Sequence, residues 1–280
     1  MIRRWFKWFV EARWLWMNNK IASLQYYRSL ILEQERYQDP KRLNRFEFQV
    51  FSQNGEDGIL FEIFKRINSV NRIFVEIGVE NGLENNTTFL LQQGWSGYWL
   101  EGNLEAVRFI RKHFEKPITN KVLSVRHVFA REDDIVGILS DLNVPRDPDL
   151  LSIDIDRNTY YVLKAILSYL RPRVLVVEYN SLYPPPVEWK VEYSPEKSWN
   201  RSSYVGASLK AYEILGNQFG YSVVGCDICG INAFFVRNEL LNEHFLPPYT
   251  AENHYEPLRD FLIHKVGHPR RFTDSSNQFK

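Results

Sequence analysis

Arg72-Ile73-Phe74-Val75-Glu76-Ile77-Gly78-Val79-Glu80-Asn81-Gly82 runs an apolar strand straight into an acidic turn punctuated by two glycines. Branched and aromatic residues from Ile73 to Ile77 suit a strand covered on both faces, while Gly78 and Gly82 let the backbone pass close to a ligand. A unit of this kind opens the nucleotide pocket of a Rossmann-like sheet. A dinucleotide fingerprint reads Gly-x-Gly-x-x-Gly and seats a pyrophosphate on a helix N-terminus. Here the spacing is Glu-x-Gly-x-x-x-Gly, and the carboxylate at the strand end repels phosphate while suiting an ammonium or a hydroxyl.

Gly97-Tyr98-Trp99-Leu100-Glu101-Gly102-Asn103 reads as a second strand ending in an acid. Glu101 falls about 20 residues beyond Gly82, where Rossmann folds place the carboxylate that holds ribose hydroxyls. S-adenosylmethionine matches both acids, since it carries an ammonium and a ribose but no phosphate. Glu76, Gly78, Glu80 and Gly82 of the first turn and Glu101, Gly102 and Asn103 of the second are therefore the expected cofactor contacts.

Strands are predicted at 72–78, 97–102, 122–129, 149–154, 173–179, 221–226 and 231–236, with helical segments at 104–115, 132–142, 158–170 and 206–219 between them. The alternation predicts an α/β fold with a mostly parallel sheet and helices on both faces. The last two strands, close together around Gly230, form a hairpin. The expected arrangement is Rossmann-like, a mostly parallel seven-stranded sheet with an antiparallel hairpin at one edge that matches the usual methyltransferase sheet, preceded by a helical leader. Residues 1–45 form that extension, 46–272 the main domain and 273–280 a polar tail. Within the leader, residues 18–48 show helical periodicity broken by Asp39-Pro40. Ser52 is placed as the cap of a helix through Ile59, Leu60, Ile63 and Phe64, with Gln53, Asn54, Gly55, Glu56 and Asp57 at its exposed start.

The net charge of +1 lacks the basic excess of a nucleic-acid binder. Cys226 and Cys229 stand in an apolar run with no second pair to complete a zinc site, so buried thiols are expected, and low cysteine usage points to a reducing cytoplasm. Residues 1–17 hold Trp5, Phe6, Trp8, Phe9, Trp14 and Trp16 beside a narrow stripe of Arg3, Lys7 and Glu11. Internal charges and short length exclude a membrane span, and no small-residue cleavage site follows. Two readings stay open for this segment: peripheral contact at the inner face of a membrane, or packing on a partner in a homo-oligomer.

Leu150-Leu151-Ser152-Ile153-Asp154-Ile155-Asp156 and Val174-Leu175-Val176-Val177-Glu178-Tyr179-Asn180 each deliver polar groups at a strand's carboxyl end, the edge where open α/β sheets bind ligands. Asp154, Asp156, Glu178 and Asn180 offer the hard oxygens that Mg2+ or Mn2+ prefers. A divalent ion there orients a substrate hydroxyl and lowers its pKa. Without a metal, Asp154 or a histidine such as His254 or His268 is the general base.

Ser52-Gln53-Asn54-Gly55-Glu56-Asp57, Phe74-Val75-Glu76-Ile77-Gly78, Glu84-Asn85-Asn86-Thr87, Gly94-Trp95-Ser96-Gly97, Ser152-Ile153-Asp154-Ile155-Asp156, Val177-Glu178-Tyr179-Asn180 and Gly230-Ile231-Asn232-Ala233-Phe234-Phe235-Val236 together resemble the FkbM-type SAM-dependent methyltransferases, from about residue 45 to about 270. The resemblance implies a class I methyltransferase fold and O-methylation, often of sugars in glycans, polysaccharides or glycosylated natural products. It also implies that Glu76, Gly78 and Glu101 bind the cofactor. Asn86, Thr87 and the segment from Gln53 through Asn54 and Glu56 to Asp57 would lie nearby, with Asp154 beside the methyl group. One departure stands out: Arg157-Asn158-Thr159 replaces the Gly-Asn-Asp usual in similar sequences. A lost glycine alters a turn that needs positive φ, and Arg157 brings a cation suited to a uronate or a phosphorylated sugar.

The acceptor expected from this reading is a carbohydrate or glycoconjugate. Tyr183, Pro184–Pro186, Trp189, Tyr193 and Trp199 form an aromatic, proline-rich loop suited to a lid, and Thr250-Ala251-Glu252-Asn253-His254-Tyr255-Glu256 is a second candidate acceptor wall. Two alternatives remain at this stage: a metal-dependent nucleotide-sugar glycosyltransferase, through Asp154-x-Asp156, and a non-catalytic SAM-fold scaffold.

Overall fold

The computed structural model describes residues 2–197, 202–263 and 270–272, and for residues 2–14 and 17 the helical backbone alone. Trp199, His268 and the 273–280 tail lie outside the described residues, as do the side chains on which the two readings of residues 1–17 depend.

Seven strands form one sheet: β1 (Ile73–Ile77), β2 (Ser96–Glu101), β3 (Leu123–His127), β4 (Leu150–Ile153), β5 (Val174–Glu178), β6 (Tyr221–Cys226) and β7 (Asn232–Arg237). Their order is β3-β2-β1-β4-β5-β7-β6, and β7 alone runs antiparallel to its neighbours. The expected parallel sheet with an antiparallel hairpin at one edge is what forms.

Strand alternation divides the interior into two layers. Leu175 and Val177 of β5 pack into one core, and Val174 and Val176 into the other, because successive side chains leave a strand on opposite faces. The first core is closed by α6 (Ile135–Asp141), α7 (Thr159–Leu167) and α8 (Leu209–Gln218). The second is closed by α2 (Glu56–Ile67), α3 (Thr88–Gln92), α4 (Leu104–His113) and the short α5 (Glu115–Thr119). Strands buried on both faces explain the unbroken apolar runs.

The leader departs from its expected boundaries. A single helix α1 (Ile2–Leu32) ends well before Asp39-Pro40, and the chain continues through isolated 3-10 turns. Among the described side chains of α1, Leu24, Ile31 and Leu32 pack against Ile228, Cys229 and Leu262, and Arg28 pairs with buried Glu47. Leu15 and Trp16 are exposed. No helix among the described residues is long and apolar enough to cross a membrane. Cys226 and Cys229 are free and buried.

Ser52 is not the cap residue of α2; Gly55 is. Ser52 caps from a distance instead, its Oγ accepting the Asp57 N–H at 3.0 Å, while Asp57 Oδ2 accepts the N–H groups of Val50, Phe51 and Ser52. This reciprocal loop buries Asn54, Glu56 and Asp57, so the helix start is not the exposed one expected.

Candidate active site

A cavity of about 780 Å³ opens at the carboxyl ends of β1, β2, β4 and β5, where the antiparallel β7 begins. The strand order reverses direction of growth between β1 and β4, the position at which open α/β sheets hold ligands. Eight carboxylates line the cavity, and Lys197 is the one cationic residue among its described lining residues.

Glu76 shares a face of the sheet with Trp99, its register partner on β2. Trp99 Nε1 donates to Thr87 Oγ1 at 2.7 Å, and Thr87 Oγ1 in turn donates to Glu76 Oε2. Asn85 Nδ2 donates to Oε2 at 2.6 Å and the Asn86 N–H to Oε1 at 2.9 Å. Burial pushes the Glu76 carboxyl up to about 7, and these donors hold it from rising further. Glu76 thus fastens the 85–87 turn against β1, and Asn86 Nδ2 carries the connection on to Ser152 Oγ of β4 at 3.1 Å.

Glu101 does similar work at the neighbouring strand end. Its Oε2 accepts the N–H groups of Val79 and Glu80, both at 2.8 Å, and Oε1 accepts that of Asn103 at 2.7 Å. A carboxylate has about four lone-pair sites, so one on Oε1 is left for a ligand hydroxyl. Asn103 also N-caps α4, accepting from Glu105 and Ala106.

Of the two glycines of the first turn, Gly78 lines the cavity as expected and Gly82 does not. A Cβ on Gly78, whose φ is +82°, would lie 1.6 Å from the Asp154 carbonyl, so the glycine lets β1 approach β4. Gly82 faces the Trp99 and Phe114 rings, not the cavity.

Asp154 follows β4 and Glu178 ends β5. With Asp156 they bring one carboxylate oxygen each within 4.8 Å of one another. Asp154 is reachable by solvent yet stands in the floor of a cavity, and loss of hydration there pushes its carboxyl up to about 6. Burial, then the Asp154 charge, raises Glu178 well above the ordinary carboxylate range, and burial raises Asp156 as well. Their carboxylate oxygens lie within 4.8 Å of each other, and the pair favours the charge on Asp154 and the proton on Glu178, which burial and the Asp154 charge raise the further.

Several expected site residues sit elsewhere. Asn180 is no metal ligand: its Nδ2 donates to the Ser203 and Val205 carbonyls, both at 2.9 Å, and its Oδ1 accepts from Leu182. His254 is buried outside the cavity lining, with Nε2 3.1 Å from the Leu246 carbonyl, and burial beside Arg42 lowers it to about 3. A general base so placed has no route to a substrate. With it the 250–256 segment leaves the acceptor wall; Glu256 is buried against Tyr37 and Arg259. Asp57 and Thr87 are buried structural partners, and neither lines the cavity. Gln53, Asn54, Glu80, Asn86, Gly102 and Asn103 do line it.

The Arg157 departure resolves differently from its expected effect. The left-handed residue of that turn is Asp156, with φ 58°, so a glycine at 157 is not required. Arg157 points away from the cavity, donating to the Glu192 carbonyl at 3.3 Å and lying over the Tyr204 ring. In the proline-rich loop, Tyr183 and Trp189 stack on each other at 4.1 Å, so neither presents that face to a sugar ring.

Glu56 lines the cavity with Gln53 and Asn54 of its expected segment, and Asn232, Phe129 and Lys197 are cavity residues outside the expected set. Glu56 accepts from Asn54 N, Asn54 Nδ2 and Asn232 Nδ2 at 2.7–2.8 Å. The hairpin itself carries the missed signal: an antiparallel strand begins at the edge where its neighbours end, which sets Asn232 opposite Glu178.

No protein-family model matches the chain, and no curated protein matches it. Solved structures of similar layout include the O-methyltransferase from Bacillus cereus in complex with SAH, at 16% identity, 78% of this chain, 89% of that chain and a TM-score of 0.43. The N-terminal domain of EvdMO1 in the presence of SAH and D-fucose aligns at 15% identity over 71% of this chain and 90% of that chain, with a TM-score of 0.41. The glycopeptide N-methyltransferase MtfA complexed with SAH aligns at 13%, over 69% and 92%, with a TM-score of 0.41. Likeness at this level assigns no activity or ligand to the chain.

Proposed function

We propose that the chain is an S-adenosylmethionine-dependent O-methyltransferase of the FkbM type, acting on a hydroxyl of a sugar or glycoconjugate. The observation that carries this reading is the acidity of the cavity: eight acidic side chains against one ammonium among its described lining residues, at the switch point of a Rossmann-like sheet. That field favours a sulfonium cofactor without phosphate and opposes a diphosphate.

The β1–β2–β3 side suits the nucleoside. Glu101 has an acceptor site left for a ribose hydroxyl, and Leu100, Val128 and half-exposed Phe129 form an apolar wall for the base. On the β4–β5 side, Asp154, Asp156 and Glu178 present acceptor oxygens, a surface that recognises hydroxyl donors. As the acceptor oxygen attacks the sulfonium methyl carbon, the O–C bond forms, the S–C bond breaks with its electron pair on sulfur, and the hydroxyl proton passes to the Asp154 carboxylate. Glu178, protonated, orients that carboxylate.

The trio also fits a hard divalent cation, since three converging carboxylates repel one another until protons or a cation intervene. Mg2+ or Mn2+ held by Asp154, Asp156 and Glu178 would supply Lewis-acid polarisation of the hydroxyl. The same Asp-x-Asp pair favours one competing reading, a metal-dependent nucleotide-sugar glycosyltransferase. Incubation with methyl-labelled SAM and a glycan extract separates the two: label in the glycan supports the proposal, and label-free glycan with sugar transfer from a nucleotide donor refutes it.

A further inference from the structure

Lys197 stands in an acidic cavity without an ion-pair partner among the described residues. It is carried there by the connection between β5 and α8, whose middle is fastened across the cavity mouth at several points. Asn158 Nδ2 donates to the Ser194 carbonyl at 2.8 Å, and the Ser194 N–H returns to Asn158 Oδ1 at 3.3 Å. Tyr161 Oη donates to the Val191 carbonyl at 2.9 Å. Farther along, Tyr193 Oη accepts the Glu132 N–H at 3.2 Å, and Glu196 pairs with Arg131 at 3.1 Å. None of these tethers uses the Lys197 ammonium, so its position at the cavity is a result of the fold and not one of its supports.

Lys197 is exposed at the rim of a cavity whose described lining is otherwise acidic. It has not come within 4.0 Å of any described acid, so its charge is available to a ligand. Arg157, the cation assigned to this task from sequence, is engaged with Glu192 and Tyr204 instead. The anion could come from the amino acid end of S-adenosylmethionine or from the acceptor. The Lys197 N–H donates to the Ser194 carbonyl at 3.2 Å, and Ser194 is held by Asn158, two residues after Asp156 on the side where the acceptor oxygens converge, which favours the second source.

We propose that Lys197 recognises an anionic group, a carboxylate or a phosphate, on the methyl acceptor. The inference rests on the methyltransferase reading above and narrows its substrate class from carbohydrates to acidic carbohydrates.

The test is calorimetric, on the full chain saturated with S-adenosylhomocysteine, using D-glucuronate, D-glucose 6-phosphate and D-glucose as probes. An acidic probe should bind the unaltered protein about fivefold tighter than D-glucose, the scale of a partly exposed ion pair. That preference should vanish in Lys197→Ala, persist in Lys197→Arg and weaken with added salt, while affinity for S-adenosylhomocysteine stays the same. No preference for either acidic probe in the unaltered protein overturns the inference, and so does an equal preference in Lys197→Ala. Weaker S-adenosylhomocysteine binding by Lys197→Ala, with methylthioadenosine binding unchanged, also overturns it by assigning the lysine to the cofactor carboxylate. Failure of the unaltered protein to bind S-adenosylhomocysteine at all removes the methyltransferase reading itself, a separate result.

Discussion

Asp154 follows β4 and Glu178 ends its parallel neighbour β5, which brings a carboxylate oxygen of each within 4.8 Å of the other at the cavity. The pairing follows from register: Ile153 lies beside Val177, which sets the next residue of each chain side by side. Like charges this close cannot both ionise without cost, and the pair resolves into one acid and one base.

Methyl transfer should therefore lose rate as pH falls through about 6, where Asp154 takes up a proton and ceases to accept one. Glu178→Ala removes the donor that favours the Asp154 anion and should move this limb to higher pH. Glu178→Gln, which keeps an N–H donor, should leave it nearer its place. Added Mg2+ should move the limb to lower pH, because a bound cation favours ionised carboxylates. A rate profile flat from pH 5 to 8 in chelator-treated enzyme contradicts the role of Asp154.

Glu101→Ala is expected to weaken S-adenosylhomocysteine binding and to lower stability together. Three backbone N–H groups lose their acceptor, at a cost of about 1–3 kcal/mol for those left unsatisfied. Sequence alone suggests a ligand contact; the structure makes Glu101 also the clasp of the 79–80 turn. Urea denaturation beside calorimetry checks both halves, and an unchanged midpoint would return Glu101 to ligand contact alone.

Glu76 gives a pH signature of its own. Its folded pKa lies above the ordinary value of 4.5, at about 7, so its contribution to stability is full below about 4.5 and is lost as pH rises through 7. The loss is about 3 kcal/mol at most. Comparing the unaltered protein with Glu76→Gln across pH 5 to 8 isolates this contribution, since the variant cannot titrate there; parallel curves count against it.

His254 carries the opposite sign. A histidine held neutral by burial, at about 3, lowers stability as pH falls below its ordinary 6.5, where the unfolded chain binds the proton first. His254→Gln should flatten acid unfolding between pH 6.5 and 3 and leave the pH dependence of methyl transfer unmoved. A variant that folds normally but loses turnover would restore a catalytic part for this residue.

The sheet was legible because its strands are buried on both faces and read as unbroken apolar runs from Phe74, Leu150 and Val174 onward. Strand-end acids were legible for the same reason, as the first polar residues after each run. Their partners were not: Glu76 is occupied by Asn85, Asn86 and Thr87, and no spacing rule separates a carboxylate that grips its own turn from one that grips a ligand. Asn180 and His254 look like ligands in sequence, and only packing shows the Asn180 amide donating to the Ser203 and Val205 carbonyls and the His254 ring set against the Leu246 carbonyl. Lys197 lies in a long connection without periodicity, where its delivery to the cavity depends on tethers to Asn158, Tyr161 and Arg131.

The most direct test of the central claim is titration of the purified chain with S-adenosylhomocysteine, run with and without Mg2+ or Mn2+ and beside a nucleotide sugar. The acid-lined cavity should take S-adenosylhomocysteine with micromolar affinity and reject the nucleotide sugar. Binding of the nucleotide sugar with manganese, and none of S-adenosylhomocysteine under any metal condition, would contradict the account.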